Sequence, residues 1–263
     1  MSRFGPNAAR DVAGGGVRWL GHSTVLVELD GVRLLTDPLL RKRVLHLRRA
    51  APLEVGGLEA LDAILVSHLH YDHLDLPSLR LLPRETTVVV PRGAAALLRR
   101  NGFSAVVELE AGEETRLGAV GIRAVPAEHE GGRVLGTKAK ALGYLIEGSR
   151  RIYYAGDTDL FAGMSELAPD LDLALLPIWG WGPSLGPGHL DPRRAAEALA
   201  LLRPATAVPI HWGTYYPLTS AGLSRPGFLS APVGEFVRAA AELAPSVQVC
   251  VLEVGGLLAL GQG

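Results

Sequence analysis

Short apolar runs separated by turns rich in glycine, proline and aspartate dominate the chain, a pattern typical of a protein with many β-strands. Near the amino terminus, residues 17–20 and 24–29 alternate apolar and polar side chains, and residues 32–35 form a third apolar run. The Asp30-Gly31 pair between the last two runs predicts a tight hairpin. The chain is therefore expected to begin with antiparallel sheet.

Farther along, strand-like and helix-like segments alternate, which favours an α/β architecture in one domain spanning residues 1–263. Apolar and β-branched composition predicts strands at residues 64–66, 86–90, 106–109, 120–125, 144–147, 151–155, 173–178, 205–210 and 247–254. Helices are predicted from Pro77 to just before Pro83 and at residues 93–100, 193–202 and 235–243. The glycine-rich residues 131–141 are expected to form a loop near a functional site.

Composition and charge narrow the functional classes. With 26 basic and 27 acidic residues the formal net charge is −1, so no overall field attracts nucleic acid or anionic lipid. The single cysteine, Cys250, excludes an intrachain disulfide. No run approaches the roughly 18 apolar residues of a membrane span, and the first residues lack the apolar core of a signal peptide. We therefore expect a soluble, cytoplasmic protein without a transmembrane span or a nucleic-acid partner.

The stretch AILVSHLHYDHL, residues 63–74, carries the most informative chemistry, because His68, His70, Asp72 and His73 directly follow a β-branched run. Histidine together with aspartate suits zinc, iron or manganese rather than calcium, which prefers oxygen alone. In extended backbone, residues two apart point the same way. His68 and His70 can therefore share one ion, while Asp72 and His73 turn toward a second. A solvated, histidine-rich surface loop is the alternative.

Three further polar residues, His129, Asp157 and His211, each stand at the carboxyl end of a predicted strand. Ligands of open α/β sheets bind outside the carboxyl ends of the strands, so these residues are expected at the same edge as the histidine cluster. Four separate segments would then converge on one metal site.

The chain resembles the metallo-β-lactamase superfamily in the order and spacing of these polar residues, from Trp19 to Gly213. Within that superfamily, the resemblance is to the branch of the N-acylphosphatidylethanolamine-hydrolysing phospholipase D and the ascorbate-6-phosphate lactonase. The phrases that carry it are WLGHSTVLVELDG, LLTDP, SHLHYDHLD, YAGDTD and GHLDP. The resemblance implies an α/β fold of four layers, an αββα sandwich in which two mixed β-sheets pack together and helices cover the outer faces.

The resemblance also implies a dinuclear metal site. One ion would be held by His68, His70 and His129, the other by Asp72, His73 and His211, with Asp157 bridging the two. Asp37 matches an aspartate behind the ligands that orients a histidine by accepting its second ring proton. Two divalent ions are expected, with Zn²⁺ as the default and Mn²⁺ or Fe²⁺ as alternatives.

A metal-bridging hydroxide would attack a phosphodiester or another anionic ester, such as a lactone of the sugar-phosphate type. Asp72 could hold the proton of this nucleophile. His189 matches a histidine that lines the pocket in the phospholipase-like branch, and we assign it transition-state stabilisation or protonation of the leaving group. The expected substrate is a small or lipid-like anion.

Several residues around the site are candidates for substrate contact. Trp179 and Trp181 lie in a glycine- and tryptophan-rich loop, and His22 could either face the site or cap a loop. The basic residues 41–49 form either a solvated segment or an anion-attracting rim that faces the tryptophan loop. Specificity is predicted to come from that rim and that loop.

The segment after His129 is expected to shape another part of the substrate wall. His129 is followed by Glu130-Gly131-Gly132, where phospholipase-like members carry an aromatic residue. Lys138 and Lys140 could meet a substrate anion, although solvated lysines on a mobile loop are the commoner explanation.

Other functional classes stay open at this point. One is oxidoreductase chemistry with iron and a flavin partner in the same fold, and another is nucleic-acid processing, against which the near-neutral charge counts. A third is a metal-binding or ligand-sensing protein that keeps the site without turnover. The sequence also leaves open whether the protein forms a homo-oligomer.

Overall fold

Two mixed β-sheets form the centre of the fold. The computed structural model describes residues 15–52, 56–134, 136–182, 186–218 and 227–261, and the strands are numbered along the chain. The first sheet has the spatial order β19 (Leu257–Ala259), β1 (Gly16–Gly21), β2 (Thr24–Leu29), β3 (Val32–Thr36), β6 (Ala63–Leu65), β7 (Thr87–Pro91) and β8 (Val106–Leu109). The second has the order β18 (Gln248–Val249), β16 (Thr206–Ile210), β15 (Leu173–Pro177), β14 (Arg151–Tyr154), β13 (Leu142–Glu147), β10 (Val120–Pro126) and β9 (Glu114–Leu117).

Each sheet combines antiparallel and parallel pairing. In the first sheet, β1, β2 and β3 are antiparallel, and β3, β6, β7 and β8 are parallel to one another. In the second, β10, β13 and β14 are antiparallel, and β14, β15 and β16 are parallel. Parallel strands end at the same edge of a sheet, so the loops after β6, β14, β15 and β16 are available to build a site there.

Neighbouring residues on the central strands pack into two different cores, because alternate side chains point to opposite faces. On β6, Ala63 and Leu65 join the core that contains the second sheet, while Ile64 joins the core beneath the first two helices. Strand β7 divides in the same way. The first sheet is therefore covered on both faces.

Helices form the outer layers. α1 (Leu76–Leu79) and α2 (Ala95–Arg100) cover the first sheet, whereas α3 (Pro192–Leu202) and α4 (Ala231–Leu243) pack together on the second. Asp191 caps α3 by accepting a hydrogen bond from the backbone N–H of Arg194. Within the described ranges, no helix combines the length and the apolar character needed to cross a membrane. The predicted αββα sandwich is confirmed.

Some short elements differ from the sequence prediction. The predicted strand at residues 247–254 is wrong, because only β18 forms there and the chain then turns to enter the first sheet as β19. Val251 is 42% exposed, so the apolar run does not mark a buried strand. The polar β9 and the three-residue β17 (Tyr215–Pro217) have no signal in the apolar pattern. Residues 131–141 contain a small hairpin, β11 (Arg133–Val134) and β12 (Thr137–Lys138).

The basic residues 41–49 belong to a third, small sheet rather than to a helix or an open loop. Strands β4 (Arg43–Val44) and β5 (Leu47–Arg49) pair with each other, and β5 pairs with β17. Arg49 is buried, and its guanidinium donates hydrogen bonds to the hydroxyl of Tyr215 and to the carbonyl oxygens of Leu20, Leu39 and Pro52. This arginine therefore holds together four separate segments.

We predict that Arg49→Met lowers the free energy of unfolding by about 2–4 kcal/mol, because it leaves buried acceptors without a donor. Urea denaturation followed by tryptophan fluorescence measures the change. Arg48→Met, which removes the neighbouring exposed cation, is the control and should change stability by less than about 0.5 kcal/mol. Equal losses in the two variants would contradict the structural role of Arg49.

Candidate metal centre

Loops that follow four strands bring the predicted metal ligands to one place. The loop after β6 carries four of them, and one each follows β10, β14 and β16; these are His68, His70, Asp72, His73, His129, Asp157 and His211. Each belongs to a group of side chains whose donor atoms all lie within 4.8 Å of one another. The structure therefore brings together every residue that the sequence singles out as a candidate ligand.

The first donor set consists of three imidazoles. Nε2 of His68 lies 3.0 Å from Nδ1 of His70, and Nε2 of His129 lies 3.1 Å from that same Nδ1. Nδ1 of His129 lies 2.7 Å from the carbonyl oxygen of Gly188, which accepts its proton and leaves Nε2 as a free lone pair. Three ring nitrogens consequently converge on one point.

The second donor set combines two imidazoles with a carboxylate. Nε2 of His73 lies 3.2 Å from Nε2 of His211, and Oδ2 of Asp72 lies 3.6 and 3.7 Å from these two atoms. The other ring nitrogen of His211 lies 2.7 Å from the carbonyl oxygen of Trp179, to which it donates. The hydrogen bond to Trp179 turns Nε2 of His211 toward the site.

Asp157 lies between the two donor sets. Its Oδ2 is 3.2 Å from Nε2 of His73, its Oδ1 is 3.3 Å from Nε2 of His211, and it also groups with His129. Its buried Oδ1 has no hydrogen-bond donor among the described residues. A buried carboxylate oxygen without a donor is costly unless a cation neutralises it. Gly156 permits this position, since a side chain there would collide with Ser67.

The chemistry of these donors fits a metal ion of the zinc type. Two imidazole nitrogens on one tetrahedral zinc lie about 3.3 Å apart. The observed ring contacts of 3.0–3.2 Å are close to that separation. Imidazole and carboxylate together also match manganese and iron, whereas calcium would require oxygen donors.

Asp37 lies behind the second donor set, where the sequence resemblance predicts it. Its Oδ2 lies 2.6 Å from Nδ1 of His73 and accepts hydrogen bonds from the hydroxyls of Ser67 and Tyr154, each at 2.5 Å. Its Oδ1 accepts the backbone N–H of Ser67 at 2.7 Å. Asp37 is fully buried, so these donors replace the water that the carboxylate loses. They also orient the imidazole of His73.

His22 is fully enclosed beside the second donor set. Its Nε2 lies 2.9 Å from Oδ2 of Asp72, and its ring contacts that of His211 at a tilt of 33°, with 3.8 Å between the centroids. Its backbone carbonyl accepts the N–H of His211 at 2.9 Å. One residue thereby links two candidate ligands. Its contact with a substrate stays a prediction.

The other predicted pocket residues surround the two donor sets at greater distance. Nε2 of His189 lies 3.8 Å from Oδ2 of Asp157, and its side chain is 19% exposed, whereas that of Asp157 is 3% exposed. The ring of Trp181 lies 6.0 Å from that of His22, whereas the buried ring of Trp179 packs on Phe228. The loop between them and His189 passes through residues 183–185, which lie outside the described part of the chain.

Burial and charge set the protonation of the site in opposite directions. Burial lowers the pKa of His129 to about 4 and that of His22 to about 3, and it lowers the pKa of His68 well below its usual value. Burial would also lower the pKa of His73, but the carboxylates of Asp157, Asp72 and Asp37 outweigh it and raise that pKa well above the usual value. The low pKa values of His68 and His129 keep these two imidazoles neutral at pH 7, so that they offer lone pairs to a cation.

Two parts of this site carry no signal in the sequence. Tyr154 donates to Asp37 from the end of an apolar strand, where a tyrosine indicates only core packing. Gly131 and Gly132 pass close to the ligand loop, since the carbonyl oxygen of Gly131 accepts the N–H of Leu69 and a side chain at position 132 would meet His70. The glycine-rich composition indicated a loop but not this contact.

Comparisons with known proteins agree with the geometry. Residues 32–212 match the family described as the beta-lactamase superfamily domain. A metal-dependent hydrolase of Thermus thermophilus is 37% identical over 209 residues, which cover 78% of this chain and 87% of that protein. The N-acyl-phosphatidylethanolamine-hydrolyzing phospholipase D 1 of Caenorhabditis elegans is 34% identical over 225 residues, which cover 75% of this chain and 63% of that protein.

A solved structure extends the similarity to the fold. Igni18, a metallo hydrolase of Ignicoccus hospitalis, superposes with a TM-score of 0.69 at 26% identity, over 93% of this chain and 97% of that one. In length, however, the chain spans only 62% of its uncharacterised relatives from Mycobacterium tuberculosis and Mycobacterium bovis.

We predict that Asp37→Asn weakens zinc binding by about 10- to 100-fold, because the amide no longer holds the imidazole of His73 in place. Titration of the apo protein with zinc in a competing chelator measures the affinity. Asp75→Asn is the matched control, because Asp75 is a buried carboxylate that caps α1 and pairs with Arg41. Zinc affinity within about twofold of wild type for Asp37→Asn would refute the positioning role.

Proposed function

The chain belongs to the metallo-β-lactamase superfamily, and from that membership we propose that it is a dinuclear metal-dependent hydrolase of an anionic ester. The observation that carries the proposal is the pair of donor sets, three imidazoles on one side and Asp72, His73 and His211 on the other, with Asp157 between them. A single ion would not need seven donors. Zinc is the first candidate, with manganese and iron as alternatives.

Two divalent ions bound here would lower the pKa of a water molecule toward neutrality and polarise a phosphoryl or carbonyl oxygen. The protein itself contributes the rigid positions of the donors. We assign to Asp72 the role of accepting the proton of the attacking water, and the contact of its Oδ2 with Nε2 of His22 at 2.9 Å supports that role by holding the carboxylate in place. Asp37 and the carbonyl oxygens of Gly188 and Trp179 prevent the imidazoles from turning away.

His189 is our candidate for the group that protonates the leaving oxygen. Its ring packs edge-on against His129 with 4.6 Å between the centroids, close to the first donor set. Its partial exposure allows it to exchange protons with solvent, which the fully buried histidines cannot do as easily. Its position 3.8 Å from Asp157 keeps it beside the reacting centre.

We propose a phosphodiester as the substrate class. The support is the similarity to the nematode protein, whose name describes a phospholipase D that hydrolyses a phospholipid. A phosphodiester carries one negative charge and an electrophilic phosphorus, and both suit a centre with two cations.

We predict that Asp157→Ala and His68→Ala each reduce bound metal and reduce hydrolysis of bis-p-nitrophenyl phosphate to below about 1% of wild type, because each removes a donor. Elemental analysis gives the metal content, and release of p-nitrophenolate gives the rate. Asp172→Ala is the control, since Asp172 pairs with Arg150 away from the site. Wild-type metal content and turnover in both variants would refute the dinuclear assignment.

For His189→Ala we predict unchanged metal content and a turnover number lowered by about 10²-fold, because proton donation to the leaving group is lost. Substrates with better leaving groups need less protonation, so the defect should shrink from phenyl to p-nitrophenyl phosphodiesters. Elemental analysis together with kcat across this series provides the measurement. Loss of one metal equivalent would instead assign His189 to the ligands.

A further inference from the structure

An open groove of about 850 Å³ lies beside the first donor set. His129 is one of its lining residues, and its walls come from the ends of β7, β8 and β10 and from β12 and the segment after it. Its volume lies in the range of small-molecule sites, roughly 300–1,000 Å³. The groove is thus large enough for a ligand whose reacting end is at the donor sets.

One part of the groove wall is apolar. Its accessible apolar residues are Pro126, Ala111, Ala127 and Ala139, and the largely buried Pro91, Leu109 and Leu142 also line it. A ligand that placed a hydrocarbon chain along these side chains would remove apolar surface from water on both molecules, which contributes about 25 cal/mol per Å². The wall therefore favours a ligand with an apolar portion.

Three cations line the same groove, and two of them are Lys138 and Lys140. Both are exposed, and neither forms an ion pair with any residue that the structure describes. The third cation of the groove, Arg92, is already neutralised by Glu110 at 3.1 Å and Glu113 at 2.6 Å. The two lysines are consequently the groups whose positive charge is available to a ligand.

The lysine segment is anchored to the ligand loop at both ends. The backbone N–H of Leu69 donates to the carbonyl oxygen of Gly131 at 2.8 Å, and that of Leu142 donates to the carbonyl oxygen of Ser67 at 2.9 Å. The two strands of the hairpin pass so closely that a side chain on Gly131 would collide with the carbonyl oxygen of Ala139. The backbone that carries the lysines is therefore tied to the ligand loop on both sides of them.

The basic residues 41–49 and the tryptophan loop, from which the sequence predicts specificity, make more contacts within the protein itself. Trp181 packs on a small apolar cluster with Leu39, Val44, Leu47 and Tyr215, next to the second donor set. The guanidinium of Arg49 donates its hydrogen bonds within the protein, and that of Arg41 forms an ion pair with Asp75 at 2.6 Å. Two of the basic residues predicted to form a rim are therefore not free to bind an anion.

We infer that the groove between His129 and Lys138 binds the substrate, and that the substrate is an amphiphile with an apolar chain and an anionic group. The chain would lie on the wall that includes Pro126 and Ala111, the ester would lie at the donor sets, and the anionic group beside the ester would contact Lys138 and Lys140. This inference rests on the proposed function for the reaction itself. It adds the direction in which the substrate extends and the residues that select it.

Isothermal titration of the zinc-loaded protein with three ligands tests the inference. Octyl phosphate carries both features, methyl phosphate has the same head without the chain, and octyl glucoside has the chain without the charge. We expect octyl phosphate to bind at least tenfold more tightly than methyl phosphate, because burial of the chain adds affinity. Equal binding of the two phosphates would overturn the inference.

Two variants assign the binding to the groove. Lys138→Ala/Lys140→Ala should weaken the binding of octyl phosphate by about three- to tenfold, as expected for the loss of two exposed ion pairs. The same variant should bind octyl glucoside as tightly as the wild type does. Ala111→Trp, which fills the groove from an exposed position, should weaken the binding of both octyl ligands and leave the binding of methyl phosphate unchanged. Lys42→Ala/Arg43→Ala removes two exposed cations from the basic segment and is the matched control. If the control variant lost as much affinity for octyl phosphate as the lysine variant does, the assignment would be overturned.

The same proteins separate this inference from the proposed function. Bis-p-nitrophenyl phosphate has no alkyl chain, so its hydrolysis reports the metal centre rather than the groove. If Asp157→Ala abolishes that hydrolysis while the groove variants leave octyl phosphate binding unchanged, the groove inference is wrong and the function stands. If binding depends on the groove but no metal-dependent hydrolysis occurs, the proposed function is wrong and the groove stands.

Discussion

The burial of one carboxylate, Asp37, governs how the two sheets meet at the site. A fully buried carboxylate is stable only with several donors, and here they come from three places: the N–H and hydroxyl of Ser67, the ring of His73 and the hydroxyl of Tyr154. Ser67 and His73 belong to the ligand loop of the first sheet, whereas Tyr154 belongs to the second sheet. The interaction that satisfies one charge therefore also fixes the distance between the two sheets where the donor sets form.

The same concentration of buried polar groups explains why this site suits cations. Burial would raise the pKa of Asp157, but His211 and His73 outweigh it and hold that pKa well below the usual value. Without a metal ion, the positive charge on His73 compensates the carboxylates of Asp157, Asp72 and Asp37. A bound cation would replace that proton, so metal binding and proton release are coupled, and affinity for metal should fall at low pH.

Much of the fold and of the candidate site could be predicted because the relevant signals are local. Apolar runs mark strands, and a histidine that directly follows such a run, like His68 or His211, stands at a strand end whatever the rest of the chain does. Contacts between distant segments leave no such trace. The pairing of His22 with Asp72 joins residues 50 positions apart, and Tyr154 reaches Asp37 across 117 positions, so neither could be inferred from the neighbouring sequence.

The partners of charged residues, which decide specificity, are also contacts between distant segments, and the local sequence does not reveal them. Residues 41–49 are the most basic segment, and composition alone made them the natural anion-binding rim. A charge contributes to recognition only if the protein leaves it unpaired. Within that segment Arg49 and Arg41 are engaged internally, whereas Lys42, Arg43 and Arg48 are exposed and have no carboxylate partner among the described residues. Lys138 and Lys140 were the less conspicuous pair in the sequence, and among the described residues they also lack a carboxylate partner, but they line an open groove that His129 lines too. Pairing within the folded chain thus removes two cations from the basic segment, and the groove is what distinguishes the two lysines from the exposed cations that remain there.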